Sequence, residues 1–293
     1  MRAGRHNRAA IPAGGTPYRK VTRQEFQPAG GRVLLNHDIG PSDEVATTGS
    51  PADRSTELAD LVRDYYDEKY NQVHTTTTFG PIEARMHKAL ESARRMQPYP
   101  VLLEVGVGGF EHFDFIEHSW SRYLAVDVRV PRSERLENVR TQIAEDRGQP
   151  PRSMEFIQAD ARSLPLPTHS VDRTVATCLL LHLNDPFEAL REWQRVTKPA
   201  GVIDALVPCD PGLAIRFFRR ALAEPAARRR GVDSSTYRLV NAVEHVSSFP
   251  RVLELARAAV EPGRALSVRF YPFRFLHSWN LNGFAVFTIG PNR

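Results

Sequence analysis

The chain has 293 residues, 41% hydrophobic and 25% charged, with a formal net charge of +5 and a pI near 9.4. That is enough apolar material for a sizeable core, and the modest, mostly arginine excess permits an anionic partner without requiring one. No run approaches the roughly 18 uninterrupted apolar residues that a spanning helix needs, so no integral membrane segment is expected. Cys178 and Cys209 build no disulfide framework and match no metal-ligand spacing, so a reducing compartment and no metal site are expected. Met1 to Arg8 is basic, but no apolar core of roughly 7 to 15 residues follows it, which speaks against a secretory signal and for a cytoplasmic location.

Residues 1–55 hold paired glycines, scattered prolines and seven basic residues before position 35, with no helical or strand period. They read as a disordered extension. The remainder, 56–293, reads as one domain. It opens on a helical cap over 56–97. Ser55 or Thr56 caps a first helix with apolar Leu58, Leu61, Val62 and Tyr65, and Pro81 opens a second helix over Ile82 to Met96. Between them lies a polar, aromatic stretch that includes Tyr66, Tyr70 and Phe79.

Val101-Leu-Leu-Glu-Val105 is an apolar run broken only by Glu104, as expected of a parallel strand covered on both faces. Gly106, Gly108 and Gly109 follow, a turn that lets a ligand approach the backbone. A helix is expected over Phe113 to Ser119, and a second strand over Tyr123 to Asp127. A charged helix follows over Ser133 to Asp146, then a third strand over Glu155 to Asp160. A fourth strand over Arg173 to Leu183 is closed by Asn184-Asp185-Pro186, which caps a helix over Phe187 to Val196. Val202 to Val207 supplies a fifth strand.

The segment 210–250 reads as an insertion, with a helix over Leu213 to Ala223 and then a polar, arginine-rich loop. A helix near Phe249 to Val260 leads to strands Ala265 to Phe273 and Phe284 to Ile289. Their connection is too short for a crossover helix, so they must be antiparallel. The expected architecture is α/β: a doubly wound, Rossmann-like seven-stranded sheet, mostly parallel with an antiparallel C-terminal pair, and helices on both faces.

In such a sheet the carboxyl ends of the strands share one edge, where ligands bind. Glu104 with its glycines, Asp127 and Asp160 all fall there. Asp127 stands about 20 residues beyond the glycine turn, the spacing of an acid that accepts from ribose hydroxyls. A dinucleotide site would want a third glycine where Glu111 stands, and a glutamate there repels a diphosphate. Glu104 likewise suits a cation.

Glu104-x-Gly106-x-Gly108-Gly109, Asp127, Ala159-Asp160-Ala161, Leu181-His-Leu-Asn-Asp-Pro186 and the run Ala189 to Pro199 resemble the class I S-adenosylmethionine-dependent methyltransferases, in their small-molecule, type 11-like branch. The resemblance covers roughly residues 80 to 290. It implies S-adenosylmethionine as cofactor, with S-adenosylhomocysteine as product. It also implies that Glu104 and Gly109 belong to the cofactor site, that Gly106 and Gly108 adjoin the methionine part, Asp127 the ribose, and Asp160 with Ala161 the adenine. The chain departs from the pattern at Phe110, which replaces the usual third glycine, and at Pro199-Ala-Gly201.

Methyl transfer is an in-line displacement, so the protein mainly positions the acceptor and excludes water. A hydroxyl acceptor also needs a base. His182 is the candidate, with His245 second to it. Tyr66, Tyr70 and Trp279 are candidates for roofing an acceptor pocket. The fourth-strand end, Thr177 to His182, lacks both the acidic-Pro-Pro-aromatic run and the Pro-Cys nucleophile of nucleobase methyltransferases, so a small-molecule substrate is expected and nucleic acid disfavoured. The competing readings are a methyltransferase acting on RNA or protein, and a non-catalytic cofactor-binding protein.

Overall fold

The computed structural model describes Leu61, residues 80–145 and residues 152–292, all within one compact unit. The expected 1–55 extension, the helix from Ser55 apart from Leu61, and the stretch with Tyr66 and Tyr70 lie outside the described residues.

A seven-stranded sheet runs in the order β3-β2-β1-β4-β5-β7-β6. Its strands are β1 (Val101–Val105), β2 (Arg122–Asp127), β3 (Ser153–Gln158), β4 (Val171–Thr177), β5 (Thr197–Pro208), β6 (Arg264–Tyr271) and β7 (Phe284–Pro291). The first five are parallel, and β7 pairs antiparallel with both β5 and β6. The carboxyl ends of β1 to β6 and the start of β7 therefore share one edge.

Alternation along β1 and β2 divides the core between the two faces. Leu103, Val105, Leu124 and Val126 face one cluster, with Leu190 and Trp193 of α3 (Pro186–Val196) and Phe249, Val252 and Ala256 of α7 (Phe249–Ala259). Leu102, Tyr123 and Ala125 face the other, with Leu90 of α1 (Gly80–Glu91) and Val139 and Ile143 of α2 (Ser133–Glu145). The α3 helix forms where its signals lie. The Asp185 carboxylate accepts from the Glu188 N–H at 3.1 Å, Pro186 needs no donor, and Trp193 Nε1 donates to Ala161 O at 3.0 Å.

A buried ionic network fastens α1 beneath the sheet. Arg173 of β4 is fully buried and bonds Glu91 at 2.6 Å and Asp204 of β5 at 3.0 Å. Arg94 grips Asp204 with two bonds of 2.8 Å, and Thr288 donates to it at 2.8 Å. Two arginines thus balance two carboxylates, as charges removed from water require. Burial opposes ionisation of Asp204, yet Arg173 and Arg94 hold its carboxyl below the usual range.

Four local expectations need correction. The helix over Phe113 to Ser119 is a single 3-10 turn, Phe113–Phe115, ended where Ile116 turns extended. The fourth strand stops at Thr177: Cys178 takes a left-handed φ of 59° and a 3-10 turn, Leu179–Leu181, follows. His182 thus closes that turn and is not part of a strand. Helix α4 (Leu213–Phe218) runs on through a π-helical turn, Arg219–Ala223, into α5 (Glu224–Arg229). The loop expected after it contains α6 (Ser234–Glu244), capped by Asp233, whose side chain accepts from the Ser235 and Thr236 N–H groups. Tyr237 and Val240 of α6 pack on Ala223, Ala226 and Ala227 in a small core of their own.

Candidate active site

The glycine turn after β1 extends the sheet, with Gly106 N–H and Val107 N–H donating to Val126 O at 2.7 and 3.3 Å. Gly106 has φ +75°, and a Cβ there would come within 2.9 Å of Leu179, in the turn after β4. This position therefore needs glycine for its conformation and for the close approach that seats the His182 turn against it. Arg135 of α2 clamps the other side, donating to Gly109 O and Phe110 O at 3.0 and 3.1 Å. Phe110 departs from the resemblance with φ +62°, and its ring is fully buried in the α1/α2 face, where it packs on Tyr123.

Three carboxylates converge on this turn. Glu104 is buried; the Tyr123 hydroxyl donates to its Oε2 at 2.5 Å, while Oε1 has no hydrogen-bond partner among the described residues. Burial pushes its carboxyl up to about 7, against the pull of His112 and Tyr123. Glu111 folds back so that its Oε2 accepts from Gly109 N–H at 2.9 Å. Its carboxyl is raised, chiefly by burial. Glu83, in the first turn of α1, is raised to about 7 by burial and then by the charge of Glu111. The Cys178 thiol is pushed up to about 12 by burial and by Glu83 and Glu111, which places the end of β4 against the same acids. Elevated carboxyls around an orphaned oxygen mark a place that lacks positive charge, and a ligand carrying a cation would supply it.

Along the same edge, Asp127 Oδ2 accepts from Gly108 N–H at 3.0 Å and Oδ1 from Arg129 N–H at 2.9 Å, so the side chain ties the end of β2 to the turn. Asp160 lies just past β3. Arg162 holds it through its backbone N–H at 2.8 Å and its guanidinium at 2.6 Å, and those bonds keep the carboxyl below its usual range. Ala161 is buried and its carbonyl receives the Trp193 bond.

The structure brings both candidate histidines together. His182 and His245, at the end of α6, meet edge to face with ring centroids 5.0 Å apart. The contact is fixed by Ser247, whose N–H and hydroxyl donate to Leu181 O and Leu183 O at 3.0 and 2.9 Å. His182 Nδ1 lies 3.4 Å from Glu244 Oε2, and His245 Nδ1 lies 2.6 Å from Asp210 Oδ2, just beyond β5. Arg219 bonds the other oxygen of Asp210 at 2.7 Å. Asp210, Glu244 and Arg219 are participants that sequence reading missed. Asp210 and His245 lie 35 positions apart, so no local pattern couples them. Trp279 stacks on buried Phe249, and His277 is exposed.

A cleft of about 460 Å³ opens at the opposite edge, by Val101 and Arg122 at the amino ends of β1 and β2. Among the described residues no three His, Cys, Asp or Glu are grouped to hold a metal ion, and no helix is long and apolar enough to cross a membrane.

A family model described as a methyltransferase domain matches residues 103–203. A rice protein named 2-methyl-6-phytyl-1,4-hydroquinone methyltransferase 1, chloroplastic (Oryza sativa subsp. japonica) is 29% identical over 155 residues, 52% of this chain and 43% of that one. A ubiquinone/menaquinone biosynthesis C-methyltransferase of Coxiella burnetii is 40% identical over 63 residues, 22% of this chain and 25% of that one. The chain thus spans less than half the length of these relatives. The solved structure of the PH0226 protein of Pyrococcus horikoshii has the same fold, with a TM-score of 0.50 and 15% identity over 78% of this chain and 99% of that one. The domain match spans β1 into β5, so this stretch, whose acids and glycines gather on one sheet edge, is similar to a methyltransferase domain.

Proposed function

We propose that this protein transfers a methyl group from S-adenosylmethionine to a small, aromatic, hydroxyl-bearing acceptor. The observation that carries the reading is the set of elevated carboxyls at the glycine turn, with Glu104 Oε1 buried and unpartnered among the described residues. The cofactor bears an ammonium and a sulfonium, and Glu83, Glu104 and Glu111 are the side chains that would neutralise them. Gly106, Gly108 and Gly109 would let its methionine part approach the backbone, Asp127 would accept from the ribose, and Asp160 and Ala161 would meet the adenine once Arg162 swings aside. When bound, the cofactor supplies an electrophilic methyl carbon. The residues of this chain orient the acceptor, exclude water and take up a proton where the acceptor carries one.

His182, which closes the turn whose Leu179 packs on Gly106, and His245, which meets it edge to face, are the candidates for that base. The names of the rice and Coxiella relatives, a hydroquinone methyltransferase and a quinone-biosynthetic C-methyltransferase, support an aromatic acceptor. The Tyr66 and Tyr70 stretch and Trp279 remain proposed contacts to it. We also propose that 56–293 works as a single catalytic domain whose 210–250 segment covers the acceptor end, and that the protein acts in the cytoplasm.

The test is incubation with methyl-labelled S-adenosylmethionine and an extract of the source cells, followed by mass identification of the labelled product. A small aromatic product is expected. Label confined to protein or RNA would overturn the acceptor class, and cofactor binding with no labelled product would overturn catalysis.

A further inference from the structure

The interior of the 210–250 segment holds a side-chain arrangement that the cofactor half of the site does not use. Asp210 leaves β5 with its side chain 9% exposed, and both oxygens are engaged: Oδ1 by Arg219 at 2.7 Å and Oδ2 by His245 Nδ1 at 2.6 Å. Arg219 Nη2 also approaches His245 Nδ1, at 3.0 Å. One ring nitrogen cannot donate and accept at once, and the shorter contact is to the carboxylate. Nδ1 therefore carries the hydrogen and donates it to Asp210, while Arg219 is satisfied through Nη1. With the tautomer so fixed, Nε2 is the acceptor nitrogen of His245. The His182 ring packs edge to face against it, which restricts rotation of the imidazole.

We infer that His245, oriented by Asp210 and steadied by His182, is the general base, and that the substrate is one whose hydroxyl must lose its proton for transfer to occur. This rests on the methyltransferase reading above. The acceptor O–H proton passes to Nε2, and the freed electron pair, on oxygen or delocalised onto a conjugated ring carbon, forms the bond to the methyl carbon. The C–S bond breaks with its electrons retained by sulfur, so a sulfonium and a neutral imidazole become a thioether and an imidazolium. Asp210 keeps its negative charge and stabilises that imidazolium.

The groups facing His245 are Asp210, Arg219 and His182, with Glu244 beyond His182. Burial lowers its affinity for a proton, as do the charges of His182 and Arg219, while Asp210 opposes them. The ring is therefore neutral and ready to accept at pH 7.

The experiment uses the full chain, methyl-labelled S-adenosylmethionine and an organic-solvent extract of the source cells as acceptor pool. Turnover of His245→Gln is expected to fall about 100-fold or more with cofactor affinity unchanged, and that of His182→Gln to fall less. The wild-type rate should rise with pH to a plateau whose midpoint lies below 6.5, and Asp210→Asn should lower both plateau and midpoint. Independently of any variant, long-range proton–nitrogen NMR of the wild type should show His245 as the Nδ1–H tautomer. Wild-type turnover in His245→Gln, or an Nε2–H tautomer in the native protein, overturns the base assignment alone. Failure of the wild type to label any extract component overturns the methyl-transfer reading and this inference with it.

Discussion

Arg173 and Glu91 meet at 2.6 Å with both side chains fully buried, joining the middle of the sheet to the last residue of α1. The bond spans 82 positions of sequence and sets where α1 lies, and with it where Glu83 is held. Replacing Arg173 by Met takes the guanidinium from Glu91, leaving it to His112, and leaves Asp204 to Arg94 and Thr288. The expected cost is about 3–5 kcal/mol, the scale for breaking a buried pair by removing one partner. Urea denaturation reads it, and pairing the change with Glu91→Leu should recover part of the loss.

Gly106→Ala places a methyl against Leu179 in a left-handed backbone conformation. A loss of roughly 1–3 kcal/mol in stability is expected. Because the same clash displaces the His182 turn, turnover should drop further than the melting shift implies. Activity measured well below the variant's Tm separates the two effects.

Asp127→Ala removes the acceptor of the Gly108 bond together with the proposed ribose contact. Affinity for S-adenosylmethionine should weaken by about 1–3 kcal/mol, as expected when a charged acceptor is lost. Calorimetry on the folded variant checks this, and unchanged affinity would refute the ribose assignment.

Glu83 and Glu104 carry carboxyls raised to about 7 from an ordinary 4.5. An acid raised in the folded state keeps its proton where the unfolded chain has lost it. Its contribution is full below pH 4.5 and lost as pH climbs through 7. The lowered histidines His87, His118 and His245 act in the opposite sense, since they lose stability as pH falls below 6.5. The acids are therefore best seen by difference. Relative to wild type, Glu83→Gln should gain thermal stability as pH rises from 4.5 through 7. Cofactor binding to the wild type should release protons in that window, and calorimetry in buffers of different ionisation enthalpy would count them.

The seven-stranded, mostly parallel sheet was legible because β1 and β2 read as apolar runs, because strands alternate with helices, and because the β6–β7 connection is too short for a crossover. The glycine turn and the acids at Asp127 and Asp160 were legible from spacing. Helix α6 was hidden behind Arg228-Arg229-Arg230. Its cap, Asp233-Ser-Ser-Thr236, followed by Tyr237 and Val240, was the available signal. The turn at Cys178 was masked by the apolar Leu179 to Leu181, which continue a strand pattern while folding as a 3-10 turn onto the core. Arg173 looked like an ordinary strand opening, since its partners come from α1 and β5. The pairing of Asp210 with His245 is a long-range contact of the same kind.

The excursion between β5 and α7 departs and returns at almost one point, with Phe249 N–H donating to Asp210 O at 2.7 Å. Closing a loop across such a neck depends only weakly on its length, at about 0.6 kcal/mol per doubling. Helices α4 to α6 can therefore be shortened, lengthened or exchanged during divergence while the sheet and the acidic edge stay as they are. Asp210 sits at the neck and His245 four residues short of it, so the proposed base would outlast such exchanges. Selectivity for the acceptor would then be inherited separately from the machinery that handles the donor.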